Sequence, residues 1–107
     1  MERDINQEID EIVKGNKVVL FMKGSRMMPQ CGFSASASQI LAHYTKDYVT
    51  VNVLADPHIR QGIKDYSNWP TIPQIYVDGN FLGGSDILRD MHASGELSEA
   101  LGSEAEG

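Results

Sequence analysis

The sequence predicts an α/β fold in which a four-stranded mixed sheet is flanked by helices. The first observation is a strand–helix–strand unit, with a short apolar run, Lys17 to Met22, and a run with alternating valines, Tyr48 to Leu54. A right-handed crossover makes these two strands parallel. The second observation is the pair Asp78-Gly79, which joins two further strands as an antiparallel hairpin. A sheet with both kinds of pairing is mixed.

The length of the chain fits one domain. Its 107 residues, 41% of them hydrophobic, suffice to cover both faces of a small sheet. We therefore expect a single domain over residues 1–107, with a core from about residue 5 to about residue 101. The last segment, residues 102–107, is expected to be a disordered tail.

The first element is an amphipathic helix followed by a strand. The apolar residues of the helix recur at helical spacing: Ile5, Ile9, Ile12 and Val13. Asp4 is placed to cap its start, and Gly15 is placed to end it in a left-handed turn. Lys17 to Met22 is nearly all apolar, which predicts a central strand buried on both faces.

A loop and a second helix come next. Residues Lys23 to Gln30 contain Gly, Ser and Pro without periodicity, which predicts a loop. The helix is expected to begin near Cys31 and to run to about Tyr44. Three of its apolar residues are expected to face inward: Phe33, Ile40 and Leu41.

A strand and a third helix follow. Val49, Val51 and Val53 alternate within the strand from Tyr48 to Leu54. Asp56 and Pro57 are a cap and a first helical residue. The apolar face of this third helix consists of three residues: Ile59, Ile63 and Tyr66.

The chain ends with a hairpin and two helices. The hairpin strands are Gln74 to Val77 and Asn80 to Leu82, and Ser85-Asp86 caps the helix that follows. Three apolar residues mark this helix: Ile87, Leu88 and Met91. Gly95 breaks it, and Glu96 to Leu101 form a last short helix. This order, without repeat or linker, is that of the thioredoxin fold.

Composition restricts the partners and the compartment. The net charge of −6 argues against nucleic acid or an anionic membrane as the main partner. No apolar run approaches the roughly 18 residues that cross a bilayer, and the acidic start does not resemble a targeting peptide. The single cysteine, Cys31, cannot form an intrachain disulfide, so we expect a reducing compartment, the cytoplasm or an organelle matrix.

Positive charge is concentrated around this cysteine. From Ile12 to Lys46 the chain has no acidic residue but five cations, of which Lys23 and Arg26 flank the loop before Cys31. The alternative is that the outer lysines of this segment belong to ordinary solvated faces. If Cys31 begins a helix, the positive end of that helix, Lys23 and Arg26 all favour the thiolate. The alternative for Cys31 is a buried cysteine that acts as a small hydrophobe.

The segment Cys31-Gly32-Phe33-Ser34 has the form of a C-x-x-C redox motif with serine at the second position. Three further motifs follow the same order along the chain: Lys23 in FMKGS, the segment from Trp69 to Pro73, and Gly83-Gly84-Ser85-Asp86. With these motifs the chain resembles the monothiol glutaredoxins of the CGFS type, from about Ile5 to Leu101.

This resemblance implies a glutathione site. Lys23 and Arg60 would bind the glycyl carboxylate, although a solvated helix face remains the alternative for Arg60. Thr71, Ile72 and Pro73 would bind the extended peptide through the backbone of Ile72, beside a cis Ile72-Pro73 bond.

The resemblance assigns the other end of glutathione to the start of the last long helix. Gly84 and Ser85 would receive the γ-glutamyl carboxylate, and Asp86 the ammonium group. Trp69 would lie at the rim. Ser85 replaces the cysteine that many relatives carry there, so the chain has no internal resolving thiol.

Counting sulfur atoms favours one function. A 2Fe-2S cluster held by thiolates needs four, so two copies of Cys31 and two glutathiones would complete the set. The resemblance thus implies a homodimer that delivers or stores iron–sulfur clusters, with partners of the BolA type and apo iron–sulfur proteins. Cys31 would be both the metal ligand and the catalytic residue. In this role the chain is a carrier with at most weak enzyme activity.

Two alternatives remain at this stage. The first is a glutathione-dependent monothiol oxidoreductase that reduces mixed disulfides through Cys31. The second is a small regulatory domain that binds a partner through this surface. A metal site of the usual kind is not expected, because His43, His58 and His92 are widely separated in the sequence.

Overall fold

The computed structural model describes residues 3–101, and its helices and strands follow the predicted order. The expected tail, residues 102–107, lies outside the described residues. The helices are α1 (Ile5–Gly15), α2 (Gly32–Tyr44), α3 (Pro57–Ser67), α4 (Ser85–Ser94) and α5 (Glu96–Ala100). The strands are β1 (Val18–Met22), β2 (Val49–Asn52), β3 (Gln74–Val77) and β4 (Asn80–Gly83).

The four strands form one mixed sheet in the order β2-β1-β3-β4. β1 pairs in parallel with β2 and antiparallel with β3, and β3 pairs antiparallel with β4. Asp78 and Gly79 both have positive φ, 53° and 82°, which is the conformation a tight hairpin turn requires. The structure therefore has the predicted thioredoxin fold.

Both faces of β1 are buried, as the sequence predicted. Val18, Leu20 and Met22 belong to one apolar cluster, which also contains residues of α2, α4 and α5. Val19 and Phe21 point to the opposite face and pack with residues of α1 and α3. Successive side chains of a strand point to opposite faces, so one short strand supports both helical layers. None of the helices within residues 3–101 has the length and apolarity needed to cross a bilayer.

Two local predictions were wrong. Gly15 does not adopt a left-handed turn, because α1 continues through it and ends at Asn16, an extended residue. The side-chain amide of Asn16 donates a hydrogen bond to the carbonyl of Ile12 at 2.9 Å, which satisfies one of the last carbonyls of the helix. Phe33 does not face inward; it is 58% exposed in the first turn of α2.

The predicted second strand is also shorter than expected. β2 ends at Asn52, and Val53–Ala55 form a turn of 3-10 helix. The side chain of Asn52 accepts hydrogen bonds from the backbone N–H groups of Leu54 and Gly24, each at 3.0 Å. These bonds bend the chain away from the sheet and connect the end of β2 to the loop after β1.

Candidate functional site

Cys31 is the residue immediately before α2. Its backbone is extended, with φ −149° and ψ 134°, and its carbonyl accepts the first hydrogen bond of the helix from Ala35 at 2.9 Å. The thiol is half-buried. Because the first N–H groups of a helix have no partner inside the helix, the sulfur lies where those groups are available to it.

This position favours the thiolate. The pKa of Cys31 is lowered chiefly by a hydrogen bond from the backbone N–H of Ser34, and burial opposes this effect. The N–H of Phe33, the hydroxyl of Ser34 and the charge of Lys23 lower the pKa further. A thiolate is the form of cysteine that attacks disulfides and binds metals.

Ser34 connects the cysteine to the sheet. Its side chain is fully buried, and its oxygen accepts a hydrogen bond from the backbone N–H of Lys23 at 3.0 Å. The same hydroxyl donates towards the sulfur of Cys31. The serine that replaces a second cysteine therefore ties the start of α2 to the end of β1.

The loop between β1 and Cys31 is closed by backbone hydrogen bonds. Gln30 donates to the carbonyl of Lys23 at 2.8 Å, and Ser25 and Met28 exchange two backbone bonds at 3.2 Å. Gly24 has φ +93°, and a Cβ atom there would lie 2.5 Å from the backbone of both Met28 and Gln30. The loop thus needs glycine at this position, and its closure fixes where α2 begins.

A cleft of about 330 Å³ lies beside Cys31. Lys23 and Phe33, which both act on the sulfur, are among the residues that line it. Seven of the residues expected to bind glutathione also line it: Lys23, Thr71, Ile72, Pro73, Gly84, Ser85 and Asp86. The structure therefore brings together three motifs that lie far apart in the sequence.

One wall of the cleft is the segment that precedes β3. This segment is held by a buried residue that the sequence analysis missed. Gln74 is fully buried, and its side-chain amide donates to the carbonyls of Trp69 and Thr71 at 3.1 and 3.2 Å. The Ile72-Pro73 bond is cis, as predicted. Trp69 is 39% exposed and lines the cleft, in agreement with its expected place at the rim.

The opposite wall is the start of α4. Gly84 is the cap residue, and no side chain caps the helix, so its first N–H groups remain available to a ligand. Ser85, expected to be part of the cap, is instead the first residue of the helix and is buried. Asp86 lines the cleft, and its exposed carboxylate accepts a hydrogen bond from Arg89. Such a surface ion pair is weak, so a bound ammonium group can compete with it.

The two cations of α3 have different positions. Lys64 lines the cleft, whereas Arg60, the residue predicted from sequence, is not among the lining residues. The two residues are four positions apart and share one face of α3. A cation on this face was expected from the sequence, and that expectation does not distinguish Arg60 from Lys64. Lys64 is a cleft-lining cation that the analysis of sequence missed.

Arg26 does not act on Cys31, contrary to expectation. Its guanidinium lies 3.8 Å from the centroid of the Tyr48 ring and donates a hydrogen bond to the Tyr48 carbonyl, on the other side of the loop. Lys23 is the cation whose charge lowers the pKa of Cys31.

Within residues 3–101 no three side chains of His, Cys, Asp or Glu are close enough to hold a metal ion. Two histidines that are distant in the sequence are nevertheless neighbours, since the rings of His43 and His92 have centroids 5.6 Å apart. The hydroxyl of Tyr44 is hydrogen-bonded to Nδ1 of His92 at 2.5 Å.

Known proteins are similar to this chain in sequence and in fold. The family model described as Glutaredoxin matches residues 18–82. An uncharacterized monothiol glutaredoxin, ycf64-like, from Synechocystis is 54% identical over 101 residues, which cover 94% of each chain.

Two solved structures resemble the fold. Reduced, apo GrxS14 of poplar is 45% identical with a TM-score of 0.80, and the match covers 96% of this chain and 94% of that one. A buckwheat glutaredoxin in complex with glutathione has a TM-score of 0.81 at 20% identity, over 94% of this chain and 89% of that one. At this lower identity the likeness shows the fold alone.

Proposed function

Because the chain belongs to the glutaredoxin family, and to its monothiol members, we propose that it binds glutathione and a dimer-bridging 2Fe-2S cluster. Its role would be to deliver or store iron–sulfur clusters. The observation that carries this proposal is the half-buried Cys31 thiolate beside a cleft with charged groups at separate positions.

The cleft fits glutathione by its chemistry. Glutathione has two carboxylates and one ammonium group on an extended backbone, so its site needs separated charges. In this proposal Lys23 and Lys64 bind one carboxylate, the N–H groups at the start of α4 bind the other, and Asp86 binds the ammonium; all of these residues line the cleft or begin α4. The buckwheat glutaredoxin complex is a precedent for glutathione on this fold.

The ligand set for the cluster follows from the number of sulfur atoms. The sequence supplies one thiolate, Cys31, and four are needed. Two chains and two glutathiones supply four, and the sulfur is only half-buried, which leaves part of it accessible to a second chain. Met27 and Phe33, 89% and 58% exposed on either side of Cys31, offer apolar surface for that approach. Such a cluster, when bound, carries iron and sulfide in a form that another protein can take over.

We propose two kinds of partner and a reducing compartment. BolA-type proteins would join the cluster-bound dimer, and apo iron–sulfur proteins would receive the cluster. A free thiolate persists where thiols stay reduced, which is the case in the cytoplasm and in an organelle matrix.

The second candidate function is a glutathione-dependent reductase of mixed disulfides, and the lowered pKa of Cys31 favours it. The Cys31 thiolate would attack the glutathionyl sulfur of a mixed disulfide, form a bond to it and release the client thiolate. A glutathione thiolate would then attack the same sulfur, releasing oxidised glutathione and regenerating the Cys31 thiolate. Ser34 and Ser85 leave glutathione as the resolving thiol in this route.

Anaerobic reconstitution tests the cluster proposal. We expect the chain, supplied with iron, sulfide, glutathione and a phosphine reductant, to become coloured in the visible range and to double its mass. The Cys31→Ser variant should remain colourless and monomeric, because it lacks the protein thiolate. A colourless monomer from the wild-type chain would reject the proposal, and turnover of a glutathionyl mixed disulfide would then favour the reductase.

Omission of glutathione is the sharper control. Without it, two chains provide two thiolates, so no cluster should assemble. Assembly to the same extent without glutathione would show that the proposed ligand set is wrong.

A further inference from the structure

A second cleft lies on the other side of the loop that precedes Cys31. Its volume is about 400 Å³, comparable to that of the glutathione cleft. The residues that matter for its chemistry are Arg26, Met27, Pro29, Gln39, Lys46 and Tyr48. Pro29 lies two residues before Cys31 in the chain, and Ala35, another lining residue, donates its backbone N–H to the Cys31 carbonyl at 2.9 Å.

The floor of the second cleft is rigid. Tyr48 is 4% exposed, and its hydroxyl donates to the carbonyl of Ser38 at 3.1 Å and contacts the Ser38 hydroxyl at 2.8 Å. Arg26 stacks on this ring and donates one N–H to the Tyr48 carbonyl. A guanidinium has five N–H donors, so Arg26 is held in place while most of its donors remain available.

The cations of this cleft lack acidic partners. Within residues 3–101, neither Arg26 nor Lys46 forms an ion pair, whereas Arg3, Lys14 and Arg89 each pair with a carboxylate. None of the described residues that line the cleft is acidic. Its remaining lining includes the apolar side chains of Met27 and Pro29, and Met27 is 89% exposed.

We propose that the second cleft docks an acidic segment of a client protein, with an apolar side chain against Met27 and Pro29 and carboxylates at Arg26 and Lys46. This inference rests on the proposed function, because the second cleft would hold the client protein while a cluster or a disulfide is exchanged between the client and Cys31. A planar guanidinium and an ammonium group in a cleft with apolar lining match a segment that has carboxylates on either side of one apolar residue.

Charge favours a protein segment over other anions. The chain has a net charge of −6, which repels an extended polyanion such as nucleic acid or an anionic membrane. A segment with a few carboxylates meets the two cations of the cleft without approaching the rest of the acidic surface.

Peptide binding tests the proposal directly. The probe is a short fluorescein-labelled peptide of Asp and Glu with a central Leu-Phe pair, titrated at low salt and followed by fluorescence anisotropy. We expect Arg26→Ala and Lys46→Ala each to raise its dissociation constant by about fivefold or more. The matched control is Lys14→Ala, a lysine of α1 outside this cleft, which should leave the constant unchanged.

Two comparison peptides define the chemistry. Replacing the Leu-Phe pair by serines should weaken binding through loss of the apolar contact, and replacing the acids by lysines should abolish it. Equal binding of the serine peptide, tighter binding of inorganic phosphate or an oligonucleotide, or unchanged binding by both alanine variants would each overturn the proposal.

Nuclear magnetic resonance separates this inference from the proposed function. Titration of the acidic peptide should shift the amide signals of Ala35, Gln39 and Lys46, and the same shifts should appear in the Cys31→Ser variant. Shifts confined to Thr71, Gly84 and their neighbours would place the peptide in the glutathione cleft and overturn the inference. If peptide binding persists while reconstitution gives no cluster, the proposed function fails and the docking cleft stands.

Discussion

The hydroxyl of Ser34 is hydrogen-bonded on two sides. It accepts from the backbone of Lys23 at 3.0 Å and donates towards the Cys31 sulfur, whose pKa it helps to lower. Serine at this position therefore stabilises a thiolate without being able to form a disulfide with it.

Ser34→Ala should raise the pKa of Cys31 towards its ordinary value. The free energy of unfolding should also fall by about 1 kcal/mol, because the partly buried N–H of Lys23 loses its acceptor. The rate of alkylation by iodoacetamide as a function of pH measures the pKa, and urea denaturation measures stability. Ser36→Ala, in the same turn of α2, is the control. An unchanged alkylation profile in Ser34→Ala would contradict this account.

Single residues show where sequence reasoning succeeds and where it stops. Cys31 was singled out as the only cysteine, beside the cation Lys23, whereas the motif around Pro73 was assigned through the resemblance to monothiol glutaredoxins; Lys23 and Pro73 both line the cleft, and Lys23 lowers the pKa of Cys31. Arg26 was assigned to the thiolate because it is near in sequence, but its long side chain lies against Tyr48 instead. Arg60 and Lys64 share one face of α3 one turn apart, so which of them reaches the cleft depends on the position of the helix along its axis, which the packing of the whole domain decides.

At the level of elements, the start of α3 is held by a charged cap. Asp56 accepts hydrogen bonds from the backbone N–H groups of His58 and Ile59 at 3.0 and 3.3 Å. It also forms an ion pair with Arg3 at 2.9 Å, so this carboxylate connects α3 to the residues before α1. The hydrogen bond from Arg3 is the main reason that the pKa of Asp56 is lowered, and the two helix N–H groups add to it.

Stability should therefore depend on Asp56 in acid. A carboxylate whose pKa is lower in the folded state stabilises the fold above its unfolded pKa of about 3.9. This contribution is lost as the pH falls through the folded value. Asp56→Asn, which keeps the cap but not the charge, should reduce the loss of stability on acidification. Urea denaturation at neutral and acidic pH measures it, and Arg3→Gln should act in the same direction. The same pH dependence in all three proteins would refute the role of this ion pair.

The elements were predictable to the extent that their signals are local. The buried strand β1 and the turn at Asp78-Gly79 have such signals, and both were placed correctly. The end of β2 was not, because the alternation of valines continues through Val53 while the Asn52 side chain turns the backbone. The hydrogen bond from Gly24 to Asn52 joins residues 28 positions apart, which no local pattern reports.

For the whole molecule, charge is distributed unevenly. Within residues 3–101, five cations that have no ion pair are Lys23, Arg26, Lys46, Arg60 and Lys64, and all of them except Arg60 line one of the two clefts. The chain as a whole nevertheless has a net charge of −6. The region around Cys31 should thus be positive on a negative molecule.

Net charge and local charge predict opposite behaviour of small anions towards Cys31. The quantity to measure is the ratio of the rate with iodoacetate, an anion, to the rate with neutral iodoacetamide. The net charge predicts that this ratio is lower for the protein than for N-acetylcysteine. The unpaired cations predict the reverse, and we expect them to prevail because Coulomb interactions beyond about 10 Å are screened at ordinary salt. The ratio of the two rates should exceed the N-acetylcysteine value about two- to tenfold at low salt and fall as salt is added.

Lys23→Gln should lower this ratio, because Lys23 is the cation that acts on the sulfur. Lys14→Gln removes the same charge from α1, where Lys14 is paired with Asp10, and should leave the ratio nearly unchanged. Since each ratio compares two reagents on the same thiolate, a change in the pKa of Cys31 cancels. A wild-type ratio at or below that of N-acetylcysteine would mean that the total charge governs access to the sulfur, and the positive region would then have no role in attracting anionic ligands.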